Sequence, residues 1–342
     1  MKRDKATEFG ENQSNRLIIA FISIGVFCFA FGVICSRIFF SPRVIENTIA
    51  TPPVRLGAQG LINPLLFTKS GTEKSSQLQH LEDELQKQIN QDEQEGDAGD
   101  ISIYFQDLNS GRWTGVNETD LYSPASLLKV PIELAYFKAA ETSSAILGDQ
   151  LAYDGSYDEN SAEDIKPVKQ IEKGSTYSVS DLLRYMIEYS DNNATILLAQ
   201  HIGMDAVTNV FSDLTIPYSS STTLNLLNPK QYSIFYRVLY SATYLDRNSS
   251  EEALELLSNS DFPQGIEAGL PPDAVVAQKF GERFVANETE PNKELHDCGI
   301  VYHPANPYLI CIMTKGTDFT KLEGVFPDVS KIAWDAAGDN YQ

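Results

Sequence analysis

The chain has 342 residues, 42% of them hydrophobic and 10% aromatic, enough to build one large α/β domain with a sizeable core. Its 47 acidic residues outnumber 26 basic ones, and the formal net charge is −21 at pH 7. That balance disfavours a nucleic-acid partner, whose phosphates require Lys and Arg, and favours a soluble, self-repelling surface.

Residues 17–36, "LIIAFISIGVFCFAFGVICS", carry no charge and match the roughly 20 apolar residues that cross a bilayer core. A cleaved signal would have a shorter apolar core of about 7–15 residues and a small-residue cleavage site, so an uncleaved anchor is the expectation. Lys2, Arg3, Lys5 and Arg16 place the tail, residues 1–16, in the cytoplasm and the rest of the chain outside, although Arg37, Arg43 and Arg55 work against that asymmetry. Residues 37–72, with "TPPVRLGAQG" and no periodicity, read as a stalk, leaving 73–342 as the folded domain.

Within it, Leu78, Leu81, Leu85 and Ile89 recur at helical spacing, so one face of this helix can lie on a sheet. "ISIYFQDLNSGRWTGV" reads as strand, turn and strand. A helical pattern dominates from about 123 to 270; in it Ser178 and Asp181 form a capping box ahead of Val179, Leu182, Leu183, Met186 and Ile187. "AVVAQKFGERFV", "DCGIVYHP" and "YLICIMTKG" return to strand, and "TKLEGVFPDVSKIAWDAAG" closes with a helix. The order predicts an α/β sandwich, an antiparallel sheet flanked by helices, with an inserted all-helical lobe and one preceding transmembrane helix. Of four cysteines two fall in the anchor; Cys298 and Cys311 read as buried thiols on neighbouring strands in preference to a disulfide.

The chemistry concentrates in "YSPASLLKVPIELAYF". Ser123 reads as a helix N-cap and Pro124 as the first helical residue, which puts Ser126 third, where its backbone N–H has no helical partner and can face a developing oxyanion. Lys129 follows one turn later on the same face, and its apolar neighbours predict burial that would lower its pKa and make it a base for the Ser126 hydroxyl. Pro131 then falls within the helix and is expected to bend it beyond the pair. Ser-x-x-Lys alone is a weak signal, since about one such pair is expected by chance in a chain of this length.

Two further motifs change its weight. Ser190-Asp191-Asn192 lies in a polar break between helices, and Lys279-Phe280-Gly281 on a predicted strand; with Ser126 and Lys129 they follow the Ser-x-x-Lys, Ser-Asp-Asn, Lys-Thr-Gly order. Over roughly residues 75–338 the chain therefore resembles the serine β-lactamase and penicillin-binding protein superfamily, in its class A β-lactamase-like branch. The resemblance implies that Ser126 is the acylated nucleophile and Lys129 its base. Ser190 would pass a proton to the leaving nitrogen, Asn192 would bind the substrate amide and orient Lys129, and Lys279 would attract the substrate carboxylate. The second oxyanion N–H would come from Glu282, with Gly281 allowing close backbone approach. The bland alternative for Ser190 and Asp191 is the N-cap of the following helix.

Two departures qualify the resemblance. Class A enzymes carry a Glu-x-x-Leu-Asn loop whose glutamate activates the deacylating water; residues 211–233 contain no glutamate, and Leu224-Asn225 follows Ser221 in place of the acid. Fast β-lactam hydrolysis by that route is not expected. Phe280 stands where a hydroxyl residue would contact the substrate carboxylate. The four histidines lack paired metal spacing, and no cofactor fingerprint occurs, so no metal and no cofactor is expected. The expected function is a membrane-anchored extracytoplasmic serine hydrolase acting on β-lactams or cell-wall stem peptides. A D,D-peptidase and a non-catalytic wall-binding module are the alternatives.

Overall fold

A computed structural model describes residues 54–55, 57–58, 60–67, 74–218, 225–284 and 293–341. The expected tail and anchor, and Ser221 with Leu224, lie outside the described residues. Among the described residues no helix is long and apolar enough to cross a membrane.

Five antiparallel strands form the central sheet: β3 (Asp100–Asp107), β4 (Trp113–Val116), β7 (Val276–Phe284), β8 (Lys293–Val301) and β9 (Tyr308–Gly316), in the order β4-β3-β9-β8-β7. The longer strands are buried along almost their whole length because both sheet faces are covered. Along β9, Tyr308, Ile310 and Ile312 join a core with α1 (Gln79–Glu95) and α8 (Phe319–Gly338), while Leu309, Cys311 and Met313 join a second core with the inserted lobe.

That lobe contains α2 (Lys129–Thr142), α3 (Val179–Glu188), α4 (Asn192–Ile202), α5 (Met204–Asp213), α6 (Pro229–Tyr240) and α7 (Arg247–Ser258). The all-helical lobe expected from sequence is not what the structure shows. A two-stranded antiparallel ribbon, β5 (Gln150–Tyr153) with β6 (Ser175–Ser178), closes the loop 154–174 at its base. The aromatic and β-branched residues Tyr153, Thr176 and Tyr177 suit a pleated surface, and four residues per strand are too few to show a period. Ser178 then caps α3 by accepting from the Asp181 N–H at 3.1 Å.

Two expectations need correction. Cys298 and Cys311 are disulfide-bonded rather than free; the β8–β9 register sets them directly opposite on the face toward the lobe, a placement spacing alone does not reveal. Part of the expected stalk belongs to the folded domain, where β1 (Val54–Arg55) pairs antiparallel with β2 (Leu65–Phe67). Arg55 pairs with the 60–67 segment by donating from Nη1 to the Asn63 carbonyl at 2.6 Å. Leu61 and Ile62 N–H groups donate to the Glu251 carboxylate at 2.7 and 3.1 Å, and Asn63 and Leu65 N–H groups donate to the carbonyls of Tyr240 and Ser241.

Candidate active site

Ser126 does not occupy the third position of a regular helix. It lies in a 3-10 turn, Ala125–Leu128, that feeds directly into α2, and no side chain caps that turn. Ser123 is held instead through its backbone: its N–H donates to Glu294 Oε2 at 2.8 Å and its carbonyl lies 2.9 Å from His296 Nε2. Because His296 Nδ1 accepts the Thr314 N–H at 3.2 Å, Nε2 carries the ring proton and donates to Ser123. Glu294 and His296 thus fix the entry to the nucleophile turn from β8. Neither had a signal in the sequence beyond being two of several polar residues on the strand.

The later start of α2 also changes the meaning of Pro131. It is the third residue of the α-helix, in the first turn, where proline is tolerated. The expected bend beyond the Ser-Lys pair has no cause at that position. The Leu127 carbonyl, which a non-proline residue could have reached, accepts the buried Tyr232 hydroxyl at 2.9 Å.

Lys129 is buried at 2% exposure, and its amine is held on the side of Ser190 and Asn192. Nζ donates to Ser190 O at 2.7 Å, Ser190 Oγ at 2.9 Å and Asn192 Oδ1 at 2.6 Å. Lys279, fully buried on β7, donates to the same Ser190 Oγ at 2.9 Å and to the Phe280 carbonyl at 3.1 Å. One hydroxyl therefore bridges two lysines. Burial pulls Lys129 down to about 7, against the opposing pull of Glu163, Asp191 and Glu282. Burial, then the charge of Lys129, holds Lys279 well below the ordinary lysine range.

Ser190 reaches this position in a left-handed backbone, φ 58°, and Ala125 beside the nucleophile has φ 48°. Non-glycine residues pay about 1–3 kcal/mol for such conformations, which persist where the surroundings over-determine them. Asp191 does that for Ser190. It caps α4 by accepting from the Asn193 and Ala194 N–H groups, and it also accepts from Ile171 N at 2.7 Å and Asn160 Nδ2 at 2.8 Å. Asn160 in turn accepts the Asn192 N–H at 2.8 Å. Asp191 is thus an N-cap, whereas Ser190 points away from the cap, toward the two lysines.

A pocket of about 490 Å³ opens over this cluster, lined by Ser126, Lys129, Asn192, Glu282 and Glu163 among others. Gly281 keeps its wall tight: a Cβ there would lie 2.8 Å from the Pro124 carbonyl oxygen and 3.0 Å from the Leu127 nitrogen. Phe280 does not face the pocket, contrary to its expected place in substrate binding. Its ring packs under the sheet, stacked on Phe262 at 4.2 Å between centroids, in the core shared with α8.

Glu163 is the main residue that sequence reading missed. Its Oε1 accepts from Asn192 Nδ2 at 2.5 Å, and it neighbours the Glu282 carboxyl, whose Oε1 accepts the Ile165 N–H at 2.9 Å. Burial first, then the Glu163 carboxyl, raises Glu282 to about 8.

Two buried lysines joined through a Ser-Asp-Asn turn, behind a pocket that Ser126 lines on an antiparallel α/β sandwich, define the serine β-lactamase and penicillin-binding class. A sequence model of the Beta-lactamase enzyme family matches residues 81–337, and the chain belongs to that family. No curated protein matches it by sequence. Among similar solved structures is a mutant of PBP-A in an acyl-enzyme complex with penicillin G: 20% identity, TM-score 0.62, covering 75% of this chain and 97% of that one. A β-lactamase from Sphaerobacter thermophilus has 20% identity and TM-score 0.64 over 75% of this chain and 97% of its own. A class A representative from Bacteroides cellulosilyticus has 17% identity and TM-score 0.63 over 76% and 99%. At these identities the likeness is one of fold.

Proposed function

We propose that the protein is a membrane-anchored, extracytoplasmic serine hydrolase acylated on Ser126 by β-lactams or D-Ala-D-Ala-like peptides. The observation that carries this is the buried Lys129 amine, brought down to about 7 and hydrogen-bonded to Ser190 and Asn192 behind the pocket that Ser126 lines. In this reading Ser126 Oγ attacks the carbonyl carbon as its proton passes to Lys129 Nζ. Collapse of the adduct breaks the amide C–N bond, and Ser190 delivers a proton to the leaving nitrogen. The N–H groups of Ser126 and Glu282 receive the oxyanion. Penicillin G on the PBP-A mutant, named above, supports acylation as the shared step.

The glutamate-free stretch 211–233 favours slow deacylation, and with it a D,D-peptidase over an efficient β-lactamase. Residues 17–36 serve as a single-pass anchor with the N-terminus in the cytoplasm, so a wall peptide outside the membrane is the natural substrate class. A fluorescent penicillin should stay bound to the wild-type chain through a denaturing gel and leave Ser126→Ala unlabelled. Equal labelling of the two, or neither label nor Ser126-dependent turnover of the penicillin, contradicts the reading. A label that decays slowly identifies a peptidase, and one lost within seconds a β-lactamase.

A further inference from the structure

Glu163 and Glu282 lie on the pocket that Ser126 lines, close enough to Lys279 for both carboxyls to act on its charge. Both line the pocket, whereas Lys279 is fully buried and engaged with Ser190 Oγ and the Phe280 carbonyl. Glu282 is 7% exposed, and its Oε2 is buried without an N–H or O–H donor from the protein. Its neighbour is the Glu163 carboxyl, already anchored on Asn192 Nδ2 at 2.5 Å. A single proton between the two carboxyls satisfies both and leaves the pair with one negative charge. The geometry points to a specificity device: the Glu163–Glu282 pair screens Lys279 and selects acyl donors whose group at this end of the pocket is uncharged or cationic, against free carboxylates.

This rests on acylation at Ser126. The charged groups around the pair do not cancel it. Lys129 from α2 is brought down to about 7, Lys279 is held well below the ordinary lysine range, and Arg283 on β7 is ion-paired with Glu294 at 3.6 Å. Asp191, at the start of α4, and Asp164, which lines the pocket, add negative charge. Phe280, with its ring under the sheet, offers no hydroxyl to a carboxylate.

Penicillin G and its methyl ester share one reactive ring and differ in that carboxylate, so the ratio of their Ser126 acylation rates isolates the device. Both rates share the Lys129 titration, which cancels in the ratio. In the wild-type chain the ester should react faster, and the penicillin-to-ester ratio should fall further as pH rises through about 8, where Glu282 loses the shared proton. Glu282→Gln or Glu163→Gln leaves one carboxylate in place of a pair, so either should abolish the fall above pH 8, and the double variant Glu163→Gln/Glu282→Gln should raise the ratio about tenfold, the effect of one unit charge a few ångströms away in a partly wet site. A ratio above one in the wild type, or a level pH profile, overturns the inference while leaving acylation intact. If neither compound labels Ser126, the acyl-enzyme reading fails and takes this inference with it.

Discussion

Lys129 can accept the Ser126 proton only while its amine is uncharged. Burial brings the group down to about 7, so the competent fraction rises as pH increases through 7 and is nearly complete by pH 8. Acylation of Ser126 by the neutral penicillin ester, followed by quenched intact-mass analysis, should trace that rise. Lys129→Ala should slow it by about 10²–10⁴-fold and flatten the profile. Ser126, Lys129, Ser190, Asn192 and Lys279 could be named in advance because each belongs to a short motif with fixed spacing. Glu163 could not. It sits in "YDENSAEDIKPVKQ", where nothing separates it from Glu159 or Asp164 until the β5–β6 ribbon folds that loop against Asn192. Asn160, whose Oδ1 takes the Asn192 N–H, was hidden for the same reason.

At the scale of elements, the nucleophile turn is held from two sides, and each side offers a test. Tyr232 on α6 donates to the Leu127 carbonyl from a fully buried position. Tyr232→Phe keeps the ring and removes that buried hydrogen bond, which should cost about 1 kcal/mol in denaturant unfolding. On the other side, Gly281→Ala would press a methyl against Pro124 and Leu127, so the turn must move away from β7. A loss of about 1–3 kcal/mol, with slower Ser126 acylation, is the expected result. The strand and helix types were legible here because their hydrophobic periods are long. The cap was not: Ser123-Pro124 suits a regular helix start, and a Glu294–His296 clamp from a strand far along the chain overrides it.

Across the whole molecule, sequence order carried the sandwich, since helix and strand at both ends enclose a helical middle. Pairings between distant segments did not show. Cys298 and Cys311 are 13 residues apart on neighbouring strands, and only the β8–β9 register decides whether their sulfurs meet. The double variant Cys298→Ala/Cys311→Ala should unfold with about 3 kcal/mol less stability, the entropic worth of a loop of that order. The 60–65 segment reads as linker because its ties are to backbone: Glu251 holds two of its N–H groups, and α6 offers its C-terminal carbonyls to two more.

The central claim is a covalent ester on Ser126 formed by a lysine that is neutral near pH 7. Reacting the full chain with penicillin G methyl ester at a series of pH values and mapping the modified peptide by mass tests it most directly. The account predicts one adduct, on Ser126, forming faster as pH rises through about 7 and absent from Ser126→Ala. An adduct elsewhere, or none on Ser126 at any pH, would contradict it.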